Sequence, residues 1–185
     1  MRRGWLILLG LLLCAGSARA EALKIATWNL NWLTTRPRAL PTDMHARQPE
    51  DFVRLRAYAE ELAADVVAVQ EVDGGPTALR LFPADRYSVH MARDPVAQRV
   101  GIVVRRGLRY DVNPDVNALA LDPVEHLRSG ADITLRLPGG GLRLLAVHLK
   151  RGCSFQPLRR PSGSACVALA QQVPVLRAWI AARVA

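Results

Sequence analysis

Val66-Val67-Ala68-Val69-Gln70-Glu71 decides the fold class of this chain. Four consecutive apolar residues, three of them β-branched, read as a short strand buried on both faces, and the run stops abruptly at an amide and a carboxylate. Working outward, the same kind of segment recurs. Leu23-Lys24-Ile25-Ala26-Thr27-Trp28 precedes Asn29, and Leu142-Arg143-Leu144-Leu145-Ala146-Val147 precedes His148. Residues 87–91 and 100–104 are two further strands. Residues 133–137 and 142–147 flank Pro138-Gly139-Gly140-Gly141, whose composition is that of a hairpin turn. Between the first two strands the sequence predicts a helix. Pro49 suits its first turn, Glu50 and Asp51 complement the N-terminal dipole, and Phe52, Leu55, Ala59 and Leu62 repeat at helical spacing.

A second helix is expected near the end. Ser164 is positioned to cap it, and Cys166, Leu169, Val173, Leu176 and Ile180 form an apolar stripe, with Pro174 predicted to kink it. Residues 34–48 and 106–131 read as loops. The whole is an α/β chain rich in strands, of a length that suits one domain.

The first twenty residues read as an address. Arg2 and Arg3 precede the apolar run from Trp5 to Leu13, and Ala18-Arg19-Ala20 gives a small-x-small cleavage pattern before Glu21. That is the layout of a secretory signal peptide, with residues 1–20 removed and 21–185 forming the mature domain in the periplasm or outside the cell. A lipid-modified Cys14 is the alternative, disfavoured by Leu13 where a small residue is expected. Cleavage removes three arginines and no acids, which takes the formal charge from +9 to +6. Such a balance suits a polyanionic partner, an anionic surface, or simple solubility. No uninterrupted apolar run reaches the roughly 18–20 residues of a membrane span, so no transmembrane segment is expected in the mature chain. An even balance of half apolar residues excludes a disordered or collagen-like chain.

Cys153 and Cys166 survive cleavage. Two cysteines in an exported chain read as one disulfide. A zinc site would need four ligands, and only His148 lies near in sequence; a catalytic thiolate would need a reducing compartment.

The polar residues at the strand ends carry the chemistry. Singly, Asn29 could cap a turn, Glu71 could be a solvated charge and His148 a hydrogen-bonded edge residue. Released together at one rim of a rigid sheet, an amide, a carboxylate and an imidazole are the parts of a site. Lys24-Ile25-Ala26-Thr27-Trp28-Asn29-Leu30-Asn31, Val67-Ala68-Val69-Gln70-Glu71-Val72 and Leu145-Ala146-Val147-His148-Leu149-Lys150, in that order, resemble three motifs of the endonuclease/exonuclease/phosphatase (DNase I-like) superfamily.

That resemblance implies a four-layer α/β sandwich, two packed sheets flanked by helices. It implies Glu71 as metal ligand, Asn29 as partner of the metal and its water, and His148 as the catalytic histidine against the scissile phosphate. Arg128, in Leu127-Arg128-Ser129-Gly130-Ala131, is similar in placement to a phosphate-contacting arginine, with a solvated loop arginine as the other reading. The implied cofactor is Mg²⁺, with Mn²⁺ or Ca²⁺ as alternatives, and the implied protein a monomeric phosphodiester hydrolase. Nucleic acid is the first substrate class. A lipid or inositol phosphodiester, or a phosphate-binding domain without turnover, are the others. The family's later Asp-x-Asn and Asp-His motifs do not occur after the last helix. Asp115-Val116-Asn117 has the letters but sits before His148, and His45, His90 and His126 are out of order. The chain therefore reads as the N-terminal portion of the domain, truncated, with little hydrolase activity expected of it alone.

Overall fold

The computed structural model describes residues 22–121 and 127–184. The signal-peptide reading, including Cys14 and the cut after Ala20, lies outside the described residues, as does His126. Among the described residues seven strands form two sheets. The first holds β1 (Ile25–Leu33), β2 (Val66–Val72), β3 (Tyr87–Met91) and β4 (Arg99–Arg105) in the order β1-β2-β4-β3, with β1 and β2 parallel and the other pairs antiparallel. The second holds β5 (Arg109–Val112), β6 (Ala131–Leu137) and β7 (Gly140–Ala146), antiparallel throughout.

The parallel pair needs a crossover, and α1 (Pro49–Leu62) supplies it. Pro49 opens the helix and the Asp51 carboxylate accepts from the Gln48 amide at 2.9 Å, as the first-turn residues led one to expect. A short α2 (Gly75–Ala78) follows β2.

The central strands β2 and β4 explain their own sequence. Val67, Val69 and Val103 pack with Leu30, Phe52 and Phe82 beneath α1. Val66, Ile102 and Val104 face the other way and meet Ala131, Ile133 and Leu135 of the second sheet. Residues on both faces are buried, so both strands must be apolar without alternation.

Several expectations needed correction. First, β1 does not stop at Trp28; it continues through Asn29 to Leu33 by way of a register shift. Second, the stretch 106–131 contains a strand, β5, which pairs with β6 from Arg109↔Arg136 to Val112↔Ile133. Third, the apolar stripe of α3 (Ser164–Val184) is displaced. Cys166, Ala168 and Gln172 are its buried residues, whereas Ile180 is 54% exposed. Gln172 is fully buried because it bridges two backbones, donating to Leu119 O at 2.7 Å and accepting from Lys150 N at 2.8 Å. The helix begins at Ser164 itself, with Gly163 O accepting from Val167 N, and runs through Pro174. The hairpin turn is tighter than read: Leu137 pairs with Gly140, leaving two residues in the loop.

By length and composition α3 is also apolar enough to cross a membrane, with a mean hydropathy of 1.3 over its best window. Counting uninterrupted apolar residues overlooked it, because Gln171, Gln172 and Arg177 break the run without lowering the average below threshold. Its polar ties hold it to the domain: besides Gln172, the Trp179 indole donates to Asp132 Oδ2 at 2.7 Å. Cys153 and Cys166 are joined in a disulfide, as expected, which fastens the segment after β7 to the first turn of α3.

Candidate functional site

Two bulges face each other at the top of the first sheet. Pairing of β1 with β2 slips between Asn29 and Leu33, and pairing of β2 with β4 slips between Gln70 and Val72. Bulges of this kind re-aim side chains. Five non-glycine residues among those described have left-handed backbones, and three of them, Asn31 (φ 46°), Trp32 (φ 57°) and Glu71 (φ 59°), sit here. Each costs about 1–2 kcal/mol relative to ordinary backbone. Clustered strain of this sort persists only where surrounding contacts over-determine it, and it concentrates at functional positions.

Those contacts converge on the Glu71 carboxylate. Its Oε1 accepts from Asn29 Nδ2 at 2.9 Å; its Oε2 accepts from Trp32 N at 3.1 Å and from Gln98 Nε2 at 2.7 Å. The Asn29 amide oxygen is turned back onto Asn31 N at 2.9 Å. His148, the second residue past the end of β7, places Nε2 3.6 Å from Glu71 Oε1. Its other ring nitrogen, Nδ1, lies 3.0 Å from Arg128 Nη1. A guanidinium only donates, so Nδ1 is the acceptor and the neutral ring carries its proton on Nε2, toward Glu71. Burial lowers the His148 pKa below its ordinary value; the Arg128 charge adds to that, Glu71 opposes it and Arg151 reinforces it. Burial likewise lowers Arg128, against the pull of Glu71 and Asp94. The Arg128 Nε is buried with no hydrogen-bond partner, a donor left for something else to meet.

Asn29, Glu71, His148 and Arg128 thus form one continuous chain of polar contacts. Glu71, Arg128 and His148 line a cleft of about 710 Å³. Lys150 and Arg151 form one wall and Trp32 and Gln98 lie beside Glu71. The charge is lopsided, with Glu71 set among several cations.

A neighbouring cleft of about 700 Å³, between the two sheets' loops, is a weaker candidate because its polar groups are spent on each other. His90 Nε2 and Arg93 N meet Asp115 at 3.2 and 3.0 Å, and Ser129 Oγ donates to Asp94 at 2.7 Å. Asp115 is therefore a latch between loops, in keeping with its reading as a loop residue.

Gln98 and the Trp32 amide were not foreseen as part of the site. Gln98 lies in the loop before β4 with no patterned neighbours to mark it, and a backbone donor leaves no trace in the choice of side chain.

The donor set can be tested against a metal. Among the described residues no three His, Cys, Asp or Glu side chains converge. That does not fit zinc, which takes three or four protein ligands. A carboxylate and an amide are donor types that fit Mg²⁺, which keeps several waters and takes further oxygens from a bound phosphate; the Asn29 oxygen would turn from Asn31 N to reach the ion.

The comparisons with known proteins bear on the fold. No protein-family model matches the chain, and no curated protein sequence matches it. Among solved structures, TDP2 from Caenorhabditis elegans is similar with a TM-score of 0.50 at 18% identity, over 71% of this chain and 36% of that one. A humanized D. rerio TDP2 carrying 14 mutations is similar with a TM-score of 0.45 at 21% identity, over 66% of this chain and 45% of that one. A truncated Caenorhabditis elegans TDP2 gives 0.49 at 18%, over 71% and 47%. The chain spans about a third to a half of the length of the structures it matches. The likeness is one of fold: two sheets with helices, arranged as in DNase I-like proteins.

Proposed function

We propose that this cleft is the phosphodiester site of an exported, divalent-metal-dependent phosphoesterase, and that its first substrate class is nucleic acid. One observation carries the reading. Two bulged strands, the segment after a third and one loop, far apart in sequence, deliver an amide, a carboxylate, an imidazole and a guanidinium into a single chain of polar contacts beside a cationic cleft. The DNase I-like fold is consistent with it, and the disulfide is consistent with an oxidising compartment.

Glu71 and Asn29 are the residues that would hold Mg²⁺, which when bound supplies charge neutralisation for the phosphate and an acidified water. The chain's own groups do the rest. Gln98 and the Trp32 amide both donate to Glu71 Oε2 and Asn29 donates to Oε1, so the carboxylate is oriented before any ligand arrives. Arg128, which lines the cleft with Nη1 held on His148 Nδ1, supplies positive charge for a phosphate oxygen. His148, neutral with its proton on Nε2, is set to donate a hydrogen bond from Nε2 to a phosphate oxygen. Lys150 and Arg151 extend the positive wall for flanking phosphates.

Among the described residues no second histidine lines this cleft, and its other acid, Asp43, completes no three-ligand metal group with Glu71 and His148, so slow turnover is expected. That favours, as a second reading, a domain that binds phosphate esters without hydrolysing them. Nicking of supercoiled plasmid separates the two. The first reading expects weak, Mg²⁺-dependent nicking that chelator abolishes and that Glu71→Ala and His148→Ala each bring to background. Nicking that survives both substitutions would put the chemistry elsewhere. Parallel assays on RNA, sphingomyelin and inositol phosphates assign the substrate class.

A further inference from the structure

The segment that leaves the cleft after His148 does not return directly to α3. It runs out as an arm, residues 151–163, without helix or strand. Its ends are clamped by the Cys153–Cys166 disulfide, with Cα atoms 4.8 Å apart. Inside, the Gln156 side-chain oxygen accepts from both the backbone and the hydroxyl of Ser162, at 3.1 and 2.6 Å. Arg160 N closes a turn on Pro157 O at 3.1 Å. The arm is therefore built, not slack. At its tip Phe155 is 98% exposed, more than any other large apolar side chain described. Arg151, Arg159 and Arg160 flank it and make no ion pair among the described residues. No acidic residue follows Asp132 anywhere in the sequence.

We infer that this disulfide-clamped arm is a single-strand nucleic-acid grip, in which Phe155 stacks on an unpaired base while Arg159 and Arg160 hold the phosphates beyond the cleft. The inference rests on the cleft being a phosphodiester site. Holding a large aromatic ring in water is unfavourable unless something covers it, and a base is a flat apolar partner that arrives already tethered to phosphates. The spacing agrees. Gly152 lines the cleft, and Phe155 lies three residues on, within about 10 Å of extended chain. A strand with one phosphate against Arg128 can reach the ring without leaving the protein. The rival occupant is an anionic bilayer. One ring is a weak anchor where stable attachment takes two signals, and Arg151 lines the same cleft as Glu71 and Arg128.

The test is binding of a fluorescent 12-nucleotide oligo-dT by the full chain in chelator, read by anisotropy. Turnover is thereby removed, so failure of the arm and failure of hydrolysis are separately visible. Phe155→Ala should weaken oligo-dT by about tenfold. It should leave a base-less strand of the same length unchanged. Arg159→Gln with Arg160→Gln should lower the slope of log affinity against log salt by about 0.7 for each arginine removed. Both variants change only exposed side chains, and unchanged thermal melting verifies their fold. Equal loss on both strands, no loss on either, or no binding by the wild type overturns the inference. So does Phe155-dependent sedimentation with phosphatidylglycerol vesicles when oligo-dT is indifferent to Phe155.

Discussion

Glu71 shows how much one residue's surroundings decide. Its backbone is held in the left-handed region, and its two carboxylate oxygens are claimed by Asn29, Trp32 and Gln98. Fixing a carboxylate this way removes the cost of orienting it when a ligand binds. Gln98 meets Glu71 through a hydrogen bond to Oε2, so its contribution is to positioning. Gln98→Ala should weaken metal affinity by about 10–100-fold, the usual effect of removing a ligand's supporting hydrogen bond. A Mg²⁺ titration of activity reads this as a shifted midpoint with little change at saturation. Gln98→Glu should not rescue it, because a second carboxylate opposes Glu71. At this scale the sequence was legible where an apolar run ended in a polar residue, which marked Asn29, Glu71 and His148. It was silent on Gln98, which reaches Glu71 only through closure of the loop before β4.

The elements were legible in proportion to how deeply they are buried. β2 and β4 are covered on both faces and announce themselves as valine-rich runs. β5 does not. Arg109-Tyr110-Asp111-Val112 is an edge strand whose charged residues stay in water, and only its pairing with β6 makes it a strand. The extension of β1 was hidden for a different reason: a bulge breaks the alternation that a strand would otherwise show. Within β4, Gly101 tests the packing. A Cβ there would lie 2.7 Å from the His90 carbonyl oxygen and against the Met91 sulfur, so the adjoining strand must shift. Gly101→Ala should destabilise the fold by about 1–3 kcal/mol, as overpacking does. Urea unfolding measures it, and an unchanged midpoint would mean that β3 and β4 are not packed as described.

At the scale of the molecule, two features stand out. One is the disulfide, which closes a loop of 13 residues between the cleft and α3. Chain-entropy reasoning assigns such a closure about 3 kcal/mol. Cys153→Ser with Cys166→Ser should lower stability by roughly that amount while leaving the residues of β1, β2 and β7 in place. Melting with and without reductant checks it, and a wild type indifferent to reductant would contradict it. The other is the distribution of charge. The sequence is basic in its last third, which supplies the arm and the cleft's cations Arg128, Lys150 and Arg151. Composition showed the excess but not its location, because the gathering of Lys150, Arg151 and Arg128 in one cleft with Glu71 and Asp43 is a product of topology. The salt dependence of binding, not its strength at one ionic strength, is the property to which this arrangement speaks.

The central claim is that Glu71 and Asn29 hold a divalent cation in the cleft beside His148 and Arg128. Electron paramagnetic resonance of Mn²⁺ titrated into the full chain, with a short oligonucleotide present, tests it directly. The account predicts one bound Mn²⁺ that Mg²⁺ displaces, lost in Glu71→Ala and weakened in Asn29→Ala. Binding undiminished in Glu71→Ala, or no bound Mn²⁺ in the wild type, would contradict it.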